Sequence, residues 1–218
     1  MIVDERITAY INSLEKELPP ELLTLEREAH KNHVPIIKKE TQGVLRFLLR
    51  MQQPIRILEV GTAVGFSALF MSEYTRKECR ITTIEKVPMR LVVAEKNLTD
   101  PVFPHKDKIR LIKGEALEVL KELSNQGEKY DFIFLDAAKA QYMSFLPELM
   151  KLIAERGMLV TDNVLQDGTV TNSRYSITRR DRTIHARMRE YLYEITHREE
   201  LETVLLPVGD GIAVSVRV

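Results

Sequence analysis

Acidic residues follow two of the short apolar runs in this 218-residue chain. Asp136 comes directly after Phe132–Leu135, and Asp162-Asn163 comes directly after Met158–Thr161. If the two runs are neighbouring parallel strands, they lie about 5 Å apart, so two carboxylates and an amide oxygen meet at one edge of a sheet. Oxygen ligands favour a hard cation, Mg²⁺, Mn²⁺ or Ca²⁺, over zinc. The structural alternative is that Asp136 caps a helix and Asp162-Asn163 forms a turn.

A second candidate site is the loop after the apolar run Ile55–Val60. Glu59 precedes it, and it continues Gly61-Thr62-Ala63-Val64-Gly65-Phe66-Ser67. Gly61 permits a tight turn and Gly65 a close approach, while Ser67 lies in the first turn of a helix whose N–H groups suit an anion. Ala63 occupies the middle glycine position of a dinucleotide-binding loop, so that motif is incomplete. A strand-to-helix turn without a ligand is the alternative.

Acids also end the second and third predicted strands. Glu85 lies about 20 residues after the glycine loop, where a carboxylate can accept hydrogen bonds from both ribose hydroxyls and disfavours a 2′-phosphate. Gly114-Glu115-Ala116 follows Ile109–Ile112, and a small residue followed by an acid could line an adenine pocket. The alternatives are an exposed surface glutamate at Glu85 and an ordinary helix start at Gly114.

These residues meet only if the segments between them form a parallel sheet. Short apolar runs at 55–60, 80–84, 109–112, 132–135 and 158–161 alternate with helical patterns at 66–76, 88–98, 116–124 and 141–154. This alternation predicts an α/β fold whose parallel sheet is covered by helices on both faces. A helix at 179–196 and two strands at 203–206 and 212–218 predict an antiparallel hairpin at the end. Ligands of such sheets bind beyond the carboxyl ends of the strands.

Residues 1–53 differ because their pattern is helical. Ile7, Ile11, Leu14 and Leu18 recur at helical spacing, and Pro19-Pro20 is expected to end that helix. Two further helices are predicted around 22–29 and 43–51. We therefore expect one domain over 1–218, with a helical N-terminal extension at 1–53 and an α/β core at 54–218.

Composition narrows the class of protein. Lysine plus arginine and aspartate plus glutamate both number 32, and this balance excludes a protein that coats nucleic acid or anionic membrane with its whole surface. A hydrophobic content of 44% supports a full core and excludes disorder. The single Cys79 cannot form an internal disulfide, and the apolar stretches are shorter than the roughly 20 residues of a membrane span. With no visible signal peptide, we expect a soluble cytoplasmic protein.

Positive charge is concentrated in residues 174–198. Seven arginines against three acids give this segment a net charge of +4; the arginines are Arg174, Arg179, Arg180, Arg182, Arg187, Arg189 and Arg198. Arginines with Tyr175 and Tyr191 nearby suit phosphate contact and base stacking. The alternative is an amphipathic helix whose Met188 and Tyr191 pack on the sheet, with a solvated basic face.

Several motifs together resemble a known family. ILEVGTAVGFSALFMS, TTIEK, KGEALEVL, FIFLDAAKAQY and LVTDNVL, in this order and spacing, resemble the divalent-metal-dependent O-methyltransferases that use S-adenosylmethionine, the group of the catechol and caffeoyl-CoA enzymes. The segments at 33–36 (HVPI), 161–165 (TDNVL) and 207–211 (PVGDG) resemble, within this group, the bacterial tRNA 5-hydroxyuridine methyltransferases. Those enzymes have methionine after the Val-Pro-Ile segment, where this chain has Ile37.

The resemblance implies a class I methyltransferase fold, which is Rossmann-like with a seven-stranded, mostly parallel sheet. It implies that S-adenosylmethionine is surrounded by Ile37, Glu59, Gly61, Ser67, Glu85, Gly114, Glu115, Ala116 and Asp136. It assigns Mg²⁺, or else Mn²⁺ or Ca²⁺, to Asp136, Asp162 and Asn163, and it makes Lys139 the general base beside Asp136. Lys139 has the alternative of a surface lysine at a helix start. The N-terminal helices would cover the site or form a homodimer contact.

The implied reaction is methylation of one of two adjacent oxygens. The metal would bind both oxygens and favour the oxyanion, and Lys139 in its uncharged form would take the proton. A 5-hydroxyuridine offers its 5-OH and O4, and a catechol offers two phenolic oxygens. The predicted acceptor is tRNA, with 5-methoxyuridine as the wobble-position product and Arg174, Arg179, Arg180 and Arg182 at the RNA. A small phenolic acceptor is the alternative.

Two other classes of protein stay open at this point. A nicotinamide-dependent dehydrogenase would share the acid Glu85, but it would leave Asp136 and Asp162-Asn163 unexplained. A non-catalytic RNA-binding protein would explain the basic segment and leave the same acids without a role.

Overall fold

The strands form one sheet whose order brings the candidate residues to a common edge. The computed structural model describes residues 2–179 and 181–218, with only the backbone of Arg174. The strands are β1 Arg56–Val60, β2 Arg80–Glu85, β3 Ile109–Lys113, β4 Tyr130–Leu135, β5 Ile153–Thr161, β6 Leu201–Leu206 and β7 Ile212–Arg217. In these residues they build a seven-stranded sheet with the order β3-β2-β1-β4-β5-β7-β6.

Strands β1 to β5 run parallel, and β7 lies antiparallel between β5 and β6. In register, Val60 pairs with Leu135, and Leu135 pairs with Thr161. The residues that follow these three therefore leave adjacent strands at the same level. The predicted mostly parallel α/β sheet with a C-terminal antiparallel hairpin is confirmed.

The helices are α1 Glu5–Leu14, α2 Pro20–Lys31, α3 Lys39–Gln52, α4 Phe66–Glu73, α5 Pro88–Thr99, α6 Ala116–Asn125, α7 Tyr142–Leu152 and α8 Arg182–His197. Short 3₁₀ turns occupy Lys106–Lys108, Lys139–Gln141, Gln166–Thr171 and Arg174–Ser176. The expectation that Pro19-Pro20 ends the first helix is wrong: α1 ends at Leu14, and Pro20 begins α2. A proline suits the first position of a helix because its missing N–H would have no partner there.

The two faces of the sheet carry separate apolar cores, because side chains alternate along each strand. Ile133 and Leu135 of β4 face the core shared with α6, α7 and α8. Phe132 and Phe134 face the core shared with α2, α3 and α4. The N-terminal helices α2 and α3 are thus part of the packing of the sheet. Helix α8 is amphipathic, with its apolar face buried on the first of these cores.

Helix α1 differs from α2 and α3 because none of its ten residues, all of them described, is buried. Ile7, Tyr10, Ile11 and Leu14 are between 46% and 67% exposed. Polar contacts hold it to α3, among them Asn12 Nδ2 donating to Glu40 Oε1 at 2.7 Å. Across residues 2–179 and 181–218, no helix has the length and apolar character needed to cross a membrane.

Candidate functional site

A cavity of about 680 Å³ opens at the carboxyl ends of the parallel strands. Nine predicted site residues line it: Gly61, Glu85, Gly114, Glu115, Ala116, Asp136, Lys139, Asp162 and Asn163. The segment between α2 and α3 supplies another wall through Val34, Pro35, Ile36 and Lys38. The fold thus brings the candidate cofactor residues and the candidate metal ligands into one space.

Three of the predicted cofactor residues do not line this cavity. Ile37 is 3% exposed and packs in the core, while its neighbour Ile36 lines the wall. The carbonyl of Ile37 accepts a hydrogen bond from Gln42 Nε2 at 3.1 Å. Glu59 and Ser67 are buried beside the glycine loop rather than at the cavity surface.

Gly61 marks the closest approach between the glycine loop and the end of β4. Its φ is +110°, and a Cβ placed there would lie 2.0 Å from the carbonyl oxygen of Asp136. A side chain at this position would collide with backbone that holds a candidate metal ligand. The sequence predicted only that Gly61 permits a tight turn. The structure adds a second reason for glycine, which is the close approach of the loop to the backbone of Asp136.

Glu85 is held by the backbone at the end of β2. Its Oε2 accepts a hydrogen bond from the N–H of Ala63, and its Oε1 accepts from the N–H groups of Lys86 and Val87, each at 2.9 Å. The ammonium of Lys86 lies 2.7 Å from Glu115 Oε2 across the same end of the cavity. The Glu85 carboxylate is thus fixed in orientation. Because Oε1 accepts two hydrogen bonds and Oε2 only one, the remaining acceptor capacity for hydroxyls lies mainly at Oε2.

Glu59 is fully buried among hydroxyl groups on the α4 side of the sheet. Its Oε2 accepts a hydrogen bond from the hydroxyl of Thr83, which also lies 2.6 Å from that of Thr62. Its Oε1 has no hydrogen-bond partner among the residues that the structure describes. Burial raises the pKa of Glu59 to about 7, although the neighbouring hydroxyls of Ser67 and Thr83 lower it.

Asp136 and Asp162 form an acidic pair at the ends of β4 and β5. Asp162 is 2% exposed and Asp136 is half-buried. Burial raises the pKa of Asp136 to about 6; burial, together with the charge of Asp136, raises the pKa of Asp162 to about 8. Two buried carboxyls that repel each other need a proton or a cation to stabilise them.

The donor set of this pair fits a hard divalent cation. Within the described part of the chain, no three histidine, cysteine or acidic side chains group as metal ligands. The candidate set consists instead of the carboxylates of Asp136 and Asp162 and the amide of Asn163, all three lining the cavity. Carboxylate and amide oxygens are ligands that Mg²⁺, Mn²⁺ and Ca²⁺ accept.

Lys38 and Asp210 belong to this site, and the sequence did not single them out. Lys38 Nζ lies 2.5 Å from Asp210 Oδ1 and 3.5 Å from Asp167 Oδ1. Partial burial lowers the pKa of Lys38, but the two carboxylates outweigh this and raise it overall. The sequence pointed toward Asp210 only through the PVGDG segment, which was noted for its resemblance to known enzymes.

A second cavity, of about 370 Å³, lies beside the first and shares Lys139 with it. Its wall includes Gln166, Thr178, Asp181 and His185. Lys139 is half-buried, lines both cavities and begins the 3₁₀ turn Lys139–Gln141.

The predicted RNA-binding arginines are only partly placed. Arg180 and the side chain of Arg174 lie outside what the structure describes. Arg179 is exposed, whereas Arg182 is half-buried and donates through Nε to the carbonyl of Ile177 at 3.2 Å. Farther along α8, Arg187 and Arg189 donate to backbone carbonyls of neighbouring segments. Some of the local positive charge thus holds the protein's own backbone.

Comparison with known proteins agrees with this geometry. The family model described as O-methyltransferase matches residues 11–218. A catechol O-methyltransferase of Niastella koreensis is 31% identical over 169 residues, which are 76% of this chain and 76% of that protein. A Staphylococcus aureus protein assigned as a caffeoyl-CoA O-methyltransferase superposes with a TM-score of 0.89 at 29% identity, over 98% of this chain and 100% of that one.

A more distant structure shares the fold. An O-methyltransferase of Bacillus cereus superposes with a TM-score of 0.84 at 20% identity, over 98% of this chain and 97% of that chain. The family match spans the glycine loop, both acidic strand ends and the hairpin. The chain therefore belongs to the O-methyltransferase family, the S-adenosylmethionine-dependent enzymes of the catechol and caffeoyl-CoA type.

Proposed function

We propose that the protein methylates one of two adjacent oxygens of its acceptor, with Mg²⁺ held by Asp136, Asp162 and Asn163. The observation that carries this proposal is the placement of these oxygen-bearing side chains in the same cavity as Glu85 and Glu115. The raised pKa values of the two aspartates support a cation between them, because burial and like charge are the causes. Mn²⁺ and Ca²⁺ suit the same donors.

For S-adenosylmethionine, we propose the end of the cavity at β1 to β3. The crystal structure of the Bacillus cereus relative contains SAH, which supports a cofactor of this kind on this fold. Glu85 would accept the ribose hydroxyls, with Glu115 and Ala116 beside the base. Gly61 would allow close approach of the cofactor, and Val34–Ile36 would cover it. Glu59, Ser67 and Ile37 would act from beneath, by holding these walls in place.

The chain's own residues would prepare the acceptor for an in-line displacement. When bound, the cation would hold both acceptor oxygens and favour the ionised hydroxyl. Lys139, at the junction of the two cavities, would accept the hydroxyl proton. Bound S-adenosylmethionine would supply the methyl group to this oxyanion and leave as S-adenosylhomocysteine. The hydroxyl of buried Tyr142 donates to the carbonyl of Asp162 at 3.3 Å, which fixes the end of β5.

As acceptor we propose 5-hydroxyuridine in tRNA, methylated in the cytoplasm. Tyr175 is 90% exposed, and Arg179 is exposed four residues later, so an aromatic face and a cation stand beside the second cavity. Such a pair suits base stacking and phosphate contact. The similarity to a catechol O-methyltransferase equally favours a small phenolic acceptor, and the same metal site would serve both.

The experiment that separates these acceptors uses S-adenosylmethionine labelled in its methyl group. The protein is incubated with Mg²⁺ and either bulk tRNA carrying 5-hydroxyuridine or a set of simple catechols. Label in 5-methoxyuridine supports the tRNA proposal, and label only in catechols overturns it. Full turnover in excess EDTA contradicts the metal proposal whichever acceptor is used.

We also propose that α1 takes part in a homodimer. Its exposed Ile7, Tyr10 and Leu14 lie on a helix that packs beside α3, where Phe47 is 66% exposed. Apolar side chains exposed together are typical of association surfaces. Sedimentation should show a dimer for the wild type and a monomer for Tyr10→Glu. The control is Tyr193→Glu, an exposed tyrosine on α8 at the other face of the sheet. A wild-type monomer contradicts the proposal.

A further inference from the structure

Asp210 occupies the turn between β6 and β7, and this turn is fastened to the loop that carries Asn163. The carbonyl of Asp210 accepts hydrogen bonds from the N–H groups of Leu165 and Gln166 at 2.9 and 3.1 Å. The carbonyl of Gly211 accepts from Val164 at 2.9 Å. A Cβ at Gly211 would lie 2.3 Å from Leu165 Cγ, so the approach of the two loops depends on glycine.

The side chain of Asp210 contacts Asn163 directly. Its Oδ2 accepts a hydrogen bond from Asn163 Nδ2 at 3.3 Å, and its Oδ1 pairs with Lys38 Nζ at 2.5 Å. An ionised carboxylate only accepts hydrogen bonds, so it favours the orientation in which the NH₂ end of the amide faces Asp210. The opposite end of the amide, Oδ1, is then free for the cavity that Asn163 lines.

We propose that Asp210 is a positioning residue that orients the amide of Asn163 as a metal ligand, and that Lys38 anchors it. This inference rests on the metal site of the proposed function. Lys38 lines the cavity together with Val34–Ile36 of the same segment. The lysine therefore connects this wall, through Asp210, to the candidate ligand Asn163.

The test is the isosteric substitution Asp210→Asn. An amide at position 210 can pair with either end of the Asn163 amide, so the preference is lost while the shape is kept. Mn²⁺ affinity, measured by electron paramagnetic resonance without cofactor or acceptor, should fall about tenfold or more, the usual effect of removing an outer-shell partner. Asp167→Asn is the control for charge, because Asp167 lies beside Lys38 and Asp210 but is not hydrogen-bonded to Asn163. Its loss should be about threefold at most, as for an exposed charge.

A double substitution separates orientation from general structural damage. In the Asn163→Asp background the ligand is a carboxylate, which has no amide to orient. Asp210→Asn should then cost Mn²⁺ affinity only the loss of a nearby negative charge, about threefold at most. Equal losses for the 210 and 167 substitutions, or a tenfold loss that persists in the Asn163→Asp background, would overturn the role of Asp210.

Failure of the metal site itself has its own signature. A wild-type protein that does not bind Mn²⁺ overturns the proposed function together with this inference. In the metal-free protein, the Asn163 Nδ2 protons should give one set of NMR signals in the wild type and two, or broadened signals, in Asp210→Asn. Two sets already present in the wild type contradict the orienting role even if the metal binds.

Discussion

The two ends of the cavity both place acids at the ends of strands, but they stabilise those acids in different ways. At β2, three backbone N–H groups hold Glu85. At β4 and β5, Asp136 and Asp162 are buried near each other, and the pKa of each is raised. At the β2 end, backbone N–H groups of the protein stabilise the acid. At the β4 and β5 end, the two acids need a further positive charge. A neutral diol suits the first end, and a hard cation suits the second.

The strongest test removes an acid from the second end. Asp162→Ala should lower kcat/KM by about 10³-fold or more, since a metal ion supplies several kcal/mol of charge stabilisation. The measurement is methyl transfer to the better acceptor, with Glu202→Gln on exposed β6 as the control. Near wild-type turnover in Asp162→Ala would contradict the claim that this end of the cavity needs a cation.

Isosteric amides at the two ends should shift stability in opposite directions. Glu85→Gln weakens hydrogen bonds from backbone N–H groups to a charged acceptor, so it should cost about 2 kcal/mol of unfolding free energy. Asp162→Asn removes a buried, repelled carboxyl and should raise the stability of the metal-free protein at pH 8. Urea unfolding in EDTA measures both. The same sign for both substitutions would contradict the difference between the two ends.

The pH dependence of the metal-free protein follows from the aspartate pair. The folded pKa values, about 6 for Asp136 and about 8 for Asp162, lie above those of the unfolded chain. Between about pH 4 and 8 the folded state therefore holds more protons, so stability falls as the pH rises. Unfolding free energy should be lower at pH 8 than at pH 6, and the decrease should shrink in Asp162→Asn. Mg²⁺ affinity should change the opposite way, rising with pH.

The smallest expected effect concerns the acceptor. With tRNA as the proposed acceptor, Arg179→Glu should raise the KM a few-fold, because a proposed phosphate contact would be replaced by repulsion. Binding of S-adenosylmethionine should not change. Lys77→Glu carries the same charge change before β2, at the opposite edge of the sheet, and should leave the KM for tRNA unaltered. Equal effects of both substitutions would point to non-specific charge.

The strand ends were predictable because parallel strands with adjacent register end at one level. Asp136 and Asp162-Asn163 could thus be paired from their positions after apolar runs. Glu59 was predicted to be a cofactor residue near the end of β1, but its side chain points to one face of the sheet. Alternation along β1 places its side chain on the same face as Ile57, which belongs to the α2–α4 core. That parity explains why Glu59 lies beneath the glycine loop and not in the cavity.

Contacts between remote parts of the chain could not be predicted in this way. Lys38 and Asp210 are 172 residues apart, and no local pattern relates them. The choice between Ile36 and Ile37 as cavity wall depends on the irregular path between α2 and α3, which has no period to follow. The end of helix α1 was also predicted wrongly, because a proline pair is compatible with ending one helix or beginning the next.

The position of β7 between β5 and β6 has a consequence for synthesis of the protein. Ribosomes release residues 212–217 only after all the other strands have emerged, yet this strand joins β5 to the edge of the sheet. The cofactor end, built from β1 to β3, can form on the nascent chain, whereas Asp210 reaches Asn163 only later. Asn163 therefore gains its contact with Asp210 only at the last stage of folding, after the end of the chain has been made.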